Sequence, residues 1–210
     1  VRGFRDRKIT TEVAEFFGVR VTLKDGEIVE HYYPYTKGSS VITGAKVRTV
    51  ATKAFKAVGD KKGVDLFGMS KFSPGGRKLV IVEGELDCLA VGQAFMDKYG
   101  RLFPVVSLPD GAQSAGKSCL QHRDFLRSFD DVILMFDNDP PGAAATQVAA
   151  KIIGGDKVKI ASLSTKDPCE EYLKGGSALI SSAVWSAQPW APAGIINAKD
   201  TWGDYIREKS

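Results

Sequence analysis

Two short acidic segments hold the residues best placed to do chemistry. Glu83-Gly84-Glu85-Leu86-Asp87 follows the apolar run Leu79-Val80-Ile81-Val82, and Asp137-Asn138-Asp139 follows Val132-Ile133-Leu134-Met135-Phe136. A run of β-branched and large apolar residues without alternation reads as a strand covered on both faces. Open α/β sheets bind their ligands at the carboxyl ends of such strands. Asp167, in Ser164-Thr165-Lys166-Asp167, follows a further candidate strand at 157–162. If the three strands are neighbours, their acids converge. Like charges held together need something positive between them, and hard oxygen donors suit Mg²⁺ or Mn²⁺ rather than zinc. Two such ions can activate an attacking oxygen and stabilise a leaving one during phosphoryl or nucleotidyl transfer. The ordinary alternative is a set of solvated strand-end acids and helix caps, and Asp87 fits that use best.

The elements that must position these acids alternate regularly. Residues 10–17 predict a short helix, capped by Thr10 or Thr11 and ended at Gly18. Val19–Leu23 and Glu27–Tyr33 alternate about Asp25-Gly26, a hairpin signal, and a further strand is expected near Ala45–Val50. Ser73-Pro74-Gly75-Gly76 marks the best boundary. Beyond it, strands at 79–82, 104–107, 132–136 and 157–162 alternate with helices at about 87–98, 118–127, 140–154 and 168–174. That alternation predicts βαβ units and a mostly parallel sheet. Trp185, Pro189, Trp190 and Pro192 read as a packed closing segment, and 197–210 as a linker.

With 43% apolar and 26% charged residues, the chain has the composition of a globular protein. It has no apolar stretch long enough for a transmembrane helix and no secretory leader. The first residue, valine, points to a segment of a longer polypeptide. Three cysteines, Cys88, Cys119 and Cys169, show no Cys-x-x-Cys spacing, which argues against a disulfide framework or a zinc ribbon. His31 and His122 stand alone. The net charge of +4 is uneven: residues 1–78 hold 16 Lys/Arg against 8 Asp/Glu, whereas 79–210 hold 13 against 17. Nine of the basic residues fall in 46–78, among them Lys46, Arg48, Lys53, Lys56, Lys61 and Lys62. Such a stretch suits nucleic acid, bound with counterion release, although a solvated lysine face is its commonplace counterpart. Phe55 and Phe72 could add stacking, with core packing the more usual role for both.

Gly111-Ala-Gln-Ser-Ala-Gly-Lys-Ser118 satisfies the P-loop pattern between a strand and a helix. Only 20 residues separate Lys117 from Asp137, which leaves room for one helix, and that reading gives Glu83, Glu85 and Asp139 no role. We therefore discount an ATPase. A softer role, Ser114 and Lys117 holding a nucleotide at a helix start, survives.

The order Leu-Val-Ile-Val-Glu-Gly-Glu-Leu-Asp, then Ile-Leu-Met-Phe-Asp-Asn-Asp-Pro-Pro-Gly, resembles a Toprim domain, the fold shared by bacterial-type primases, type IA and type II topoisomerases and some nucleases. Asp6-Arg-Lys-Ile-Thr10, Lys46-Val-Arg48, Leu66-Phe-Gly68, Lys166-Asp167, Trp185 and Pro189-Trp190 extend the likeness over nearly the whole chain. They select the primase half of the primase-helicases of short-tailed phages, relatives of mitochondrial Twinkle.

The resemblance implies an α/β fold: a Toprim-type parallel sheet with helices on both faces at 77–196, preceded by a small α+β subdomain at 1–76 and followed by the tail. It implies that Glu83 binds metal or does acid–base work, that Asp137 and Asp139 bind metal, and that Asp167, Glu85 and Asp87 support them. Lys46 and Lys53 would lie near the active site on nucleotide or nucleic acid, Lys53 being counted with Glu83, Asp137 and Asp139 as catalytic, and Arg48, Lys56, Lys61 and Arg7 are weaker binding candidates. The implied activity is primer synthesis by nucleotidyl transfer with Mg²⁺, replaceable by Mn²⁺, and no zinc in this segment. Single-stranded DNA template and ribonucleoside triphosphates are the implied partners. A zinc-binding domain and a hexameric helicase are expected in the full-length chain. The implied setting is the cytoplasm of an infected bacterium, without a membrane. The alternatives are a Toprim nuclease and a non-catalytic DNA-binding module of a replicative helicase. Pro140-Pro141 departs from the pattern, where relatives carry an acidic residue and alanine.

Overall fold

In the computed structural model, which describes residues 3–192, two sheets share the chain. Helix α1, Thr11–Phe16, starts where Thr10 Oγ1 accepts the amide of Val13, and Gly18 turns the chain out of it with φ +73°. Four antiparallel strands follow: β1 Arg20–Lys24, β2 Glu27–Thr36, β3 Ile42–Thr49 and β4 Phe55–Gly59. The first hairpin forms about Asp25-Gly26 as the sequence predicts. Strand β4 was not predicted. All of its residues are exposed, so it carries no alternation of buried and open positions to read.

The second sheet has the order β6-β5-β7-β8-β9. Strands β5 Gly76–Val82, β6 Val105–Ser107, β7 Phe129–Leu134 and β8 Val158–Ile160 run parallel, and β9 Gln188–Pro189 closes the edge antiparallel. The central strands are unbroken apolar runs at Leu79–Val82 and Val132–Leu134, where both of their faces are covered. Val80, Val82, Ile133 and Met135 join a core with α2 Glu85–Tyr99 and α6 Pro168–Trp185. Leu79, Ile81, Val132 and Leu134 join a second core with α3 Ala115–Gln121, α4 Arg123–Arg127 and α5 Pro140–Ile153. Burying one such side chain stabilises by roughly 1.5–3 kcal/mol, so the pattern fixes the register firmly.

The first core does not stop at Ser73–Gly76. Phe4, Ile9, Val13, Phe17, Tyr33, Tyr35 and Phe67 belong to it together with Val80, Leu89 and Tyr172. Polar ties cross in the same place: Gln93 Oε1 on α2 accepts both the amide (2.8 Å) and the hydroxyl (2.9 Å) of Thr10.

Two expectations change. Helix α6 continues past Lys174 to Trp185, broken by non-helical backbone at Gly176, so Gly175-Gly176 marks a kink rather than an end. Trp185 is not packed in: it is 55% exposed at the end of α6, whereas Trp190 lies over Gly155 and donates to Gln147. All three cysteines are free and buried. The linker predicted at 197–210 lies outside the described residues.

Candidate active site

The acidic segments meet because β5 and β7 are neighbours, with β8 next. Glu83 leaves the end of β5, and its Oε1 accepts the Asp137 amide at 2.9 Å, so one carboxylate is tied to the backbone that carries another. Asp139 caps α5, accepting the Gly142 amide at 2.9 Å, with Pro140 and Pro141 in the first helical positions. The Pro-Pro departure therefore fits the helix start. Asp167 caps α6 in the same way, accepting the Glu170 amide at 2.7 Å, again with a proline in the first turn. The loop before it is docked by the Asn138 amide, which donates to the Lys166 carbonyl at 2.6 Å. Beneath this loop, Glu171 accepts from the Ser164 amide and from the hydroxyls of Ser164 and Thr165.

The charges act on one another. Burial, then Glu83, Asp167 and Asp139, push the Asp137 carboxyl up to about 7. Burial is also the leading cause that raises Glu83, with Asp139 adding to it, and Asp87, with Asp167, Asp137 and Glu83 adding. Lys166 opposes the trend at Glu83 and Asp137. Asp137 Oδ1 is one of two buried side-chain polar atoms without a hydrogen-bond partner among the described residues. Hard oxygen donors, mutual repulsion and this orphaned oxygen fit a divalent cation. Among the described residues, however, no three acids stand gathered as a closed ligand set.

Two expected acids are placed differently. Asp87 does not cap α2, whose N-cap is Gly84; its Oδ1 accepts the amide of Cys169 at 3.2 Å and so joins α2 to α6. Glu85 turns toward the first sheet. It is 3% exposed, accepts the hydroxyl of Tyr35, and pairs with Lys46 at 3.0 Å.

Gly142 is a packing constraint on the rim. A Cβ there would stand 2.1 Å from the Asp137 carbonyl oxygen and 2.7 Å from Glu83 Oε1. Gly142→Ala is expected to destabilise by about 1–3 kcal/mol in urea unfolding, the range for overpacking, and to impair any reaction that needs Glu83 and Asp137 in place.

The basic residues fall into two groups. Lys46 and Lys61 converge on the Pro109 carbonyl at 3.3 and 3.4 Å; Lys46 also lies over the Phe55 ring, and Lys61 over Tyr35 while pairing with Asp110. Lys61 is thus nearer the rim than its rank in the sequence reading implied. Arg7, Arg48 and Lys53 line one groove of about 1080 Å³ with Arg5, Lys8 and His31. Burial and then Arg48 hold His31 down to about 4, so its ring is neutral at pH 7. Arg7 reaches the start of α6, with Nη1 at 3.7 Å from Cys169 Sγ. Lys56 belongs to neither group and pairs with Glu30.

The P-loop reading finds no support. Lys117 is exposed in a seven-residue helix, Ser118 is buried, and the Ser114 hydroxyl is engaged by its own turn, donating to the Gly111 carbonyl.

Residues 80–173 match the Toprim-like family. The chain is 34% identical to the primase fragment of the bacteriophage T7 primase-helicase, over 88% of this chain and 74% of that one, with a TM-score of 0.78. The chain belongs to the Toprim-type phage primase family. A second T7 structure, of lagging-strand DNA polymerase interacting with primase domains of two gp4 subunits bound to an RNA/DNA hybrid and dTTP, contains a chain 35% identical to this one. It covers 90% of this chain and 93% of that one, with a TM-score of 0.79. A DNA helicase/primase of Enterobacteria phage T3 is 38% identical over 164 residues, 78% of this chain. The chain spans 28% of the length of that curated relative.

Sequence reasoning missed three parts of this primase-family site. Lys166 was noted only as part of a likeness, yet it faces Glu83 and Asp137. Tyr35 gave no signal beyond strand alternation. Glu171 carries no signal of its own in the sequence; its burial and its bonds to Ser164 and Thr165 show that it holds the Asp167 loop.

Proposed function

We propose that this chain is the RNA polymerase domain of a DNA primase, making short RNA primers on single-stranded DNA by Mg²⁺-dependent nucleotidyl transfer. The observation that carries the reading is the mutual influence of Glu83, Asp137, Asp139 and Asp167 beyond three adjoining strands, with Arg7 of the basic groove within electrostatic reach of Asp167. Asp137, Asp139 and Glu83, with Asp167, would hold the cation, and Asp87 would support them from below. Bound there, Mg²⁺ would neutralise the acids and stabilise charge on the phosphoryl oxygens. Arg7, Arg48 and Lys53 would hold phosphates along the groove, and Lys46 and Lys61 would stand apart from it at the Pro109 carbonyl. Lys166 would offset charge beside Asp137. Lys56, Ser114 and Lys117 fall outside this arrangement.

The relatives are named primase-helicase and helicase/primase, so a helicase is expected in the full-length protein; a zinc-binding domain, a hexameric assembly and the cytoplasm of an infected bacterium are what the family resemblance implies. No helix among the described residues is long and apolar enough to cross a membrane.

The test is incubation with labelled single-stranded DNA and Mg²⁺, with and without ribonucleoside triphosphates. New oligoribonucleotides that depend on template and nucleotides are expected. DNA cutting without nucleotides would mark a nuclease. Binding without either product would mark a non-catalytic module.

A further inference from the structure

We propose that Phe55 is a stacking platform for an unpaired base of the single-stranded DNA template. The inference rests on the primase reading and adds to it a side chain that would touch the template.

The sheet register supplies the placement. Phe55 stands opposite Arg48, and Ala57 opposite Lys46; Lys46 and Arg48 in turn stand opposite Tyr33 and His31. Side chains opposite one another in a ladder share a face. Phe55 therefore lies on the face that carries Tyr33, Lys46 and Arg48. The inner part of that face is closed: Tyr33 is fully buried in the core shared with α2, and Lys46 reaches Glu85 and the Pro109 carbonyl at the carboxyl end of the second sheet. The outer part is open, because β4 is the edge strand and every residue of it is exposed. Phe55 thus shares a face with the lysine that reaches the second sheet, yet it is 56% exposed. Phe72 went the other way, packing beside Phe16 and Phe17.

A single exposed phenylalanine is ordinary on a protein surface. This one is set apart by its neighbours. The Lys46 ammonium sits 4.7 Å from its ring centroid, and Arg48 and Lys53 flank the same end of the hairpin. Aromatic rings interleaved with cations are the usual means of holding single strands, with bases on the rings and phosphates on the cations. The geometry favours a polymer over a free nucleotide. An edge strand is an open ledge without enclosing walls, which suits a strand passing over it better than a nucleotide held in a pocket.

The test uses the whole chain as wild type, Phe55→Leu and Phe55→Trp, with a single-stranded oligodeoxynucleotide carrying 2-aminopurine. Stacking quenches that base. Wild type and Phe55→Trp are expected to quench it. Phe55→Leu, which keeps the apolar bulk, is expected to lose the quench and to bind the oligonucleotide roughly 5- to 150-fold more weakly, the span for one lost base stack. The KM for template in primer synthesis should rise with it. Absence of quench by wild type, equal quench by Phe55→Leu, or Phe55-dependent quench of 2-aminopurine riboside triphosphate but not of DNA would each overturn the proposal. Failure of the primase reading looks different: no oligoribonucleotide forms, while the DNA quench and its loss in Phe55→Leu remain.

Discussion

Asp137→Asn is expected to lower primer synthesis by roughly 10²–10³-fold, the range for removing one electrostatic stabiliser, while making the cation-free protein more heat-stable at pH 8. The second half follows from linkage. The Asp137 carboxyl, ordinarily near 3.8, is pushed up to about 7 in the fold by burial and by Glu83, Asp167 and Asp139. The folded state therefore keeps its proton where the unfolded chain has lost it. Stability contributed at this site falls as pH rises from about 4 to about 7, and the full penalty stands above that. Glu83 and Asp87 shift in the same direction. In EDTA the melting temperature should fall between pH 5 and pH 8, less steeply in Asp137→Asn. Mg²⁺ should raise it at pH 8 more than at pH 5, and this gain should largely vanish in the variant. Melting curves with and without Mg²⁺ read both effects. A variant that melts below wild type at pH 8 in EDTA would show that the repulsion is not there.

The second large effect is expected at Glu85. Its carboxylate and the Lys46 ammonium are both largely buried and pair at 3.0 Å, with the Tyr35 hydroxyl as a further donor. Glu85→Ala leaves the Lys46 charge without its partner in a closed site, a loss of about 3–5 kcal/mol for a broken buried pair. Urea denaturation should show this as a lower midpoint. The same experiment separates two roles. If Glu85 were a cation ligand, its removal would abolish stabilisation by Mg²⁺ and leave cation-free stability nearly unchanged. The Lys46 pairing predicts the reverse.

These two acids also show how much could be read from the chain. Asp137 follows a strand with both faces covered, so an unbroken apolar run announces the strand and its end announces the acid. Glu83 is legible for the same reason. Glu85, two residues on, is not: its direction is set by Tyr35 and Lys46, which arrive from a different sheet some 40–50 positions earlier. Local pattern also chose the wrong cap. Asp87 sits in the first turn of a helix, where an acid is favourable, but its oxygen goes to Cys169 on α6, while Asp139 and Asp167 do the capping. Strand β4 escaped because burial is what makes a strand visible in sequence, and it has none. That exposure gives Phe55 its significance.

Asp139 and Asp167 each offer Oδ1 to an amide at the start of a helix, one of 14 residues and one of 18. Ionic chemistry and helix initiation thus draw on the same two side chains. Alanine at either place removes a charge and also frays a helix end, worth about 1 kcal/mol. Asparagine removes the charge and still accepts the amide. Drift at these positions is therefore constrained twice: a descendant that abandoned catalysis would still be held to a capping residue such as Asp, Asn, Ser or Thr, and the helix starts would outlast the reaction.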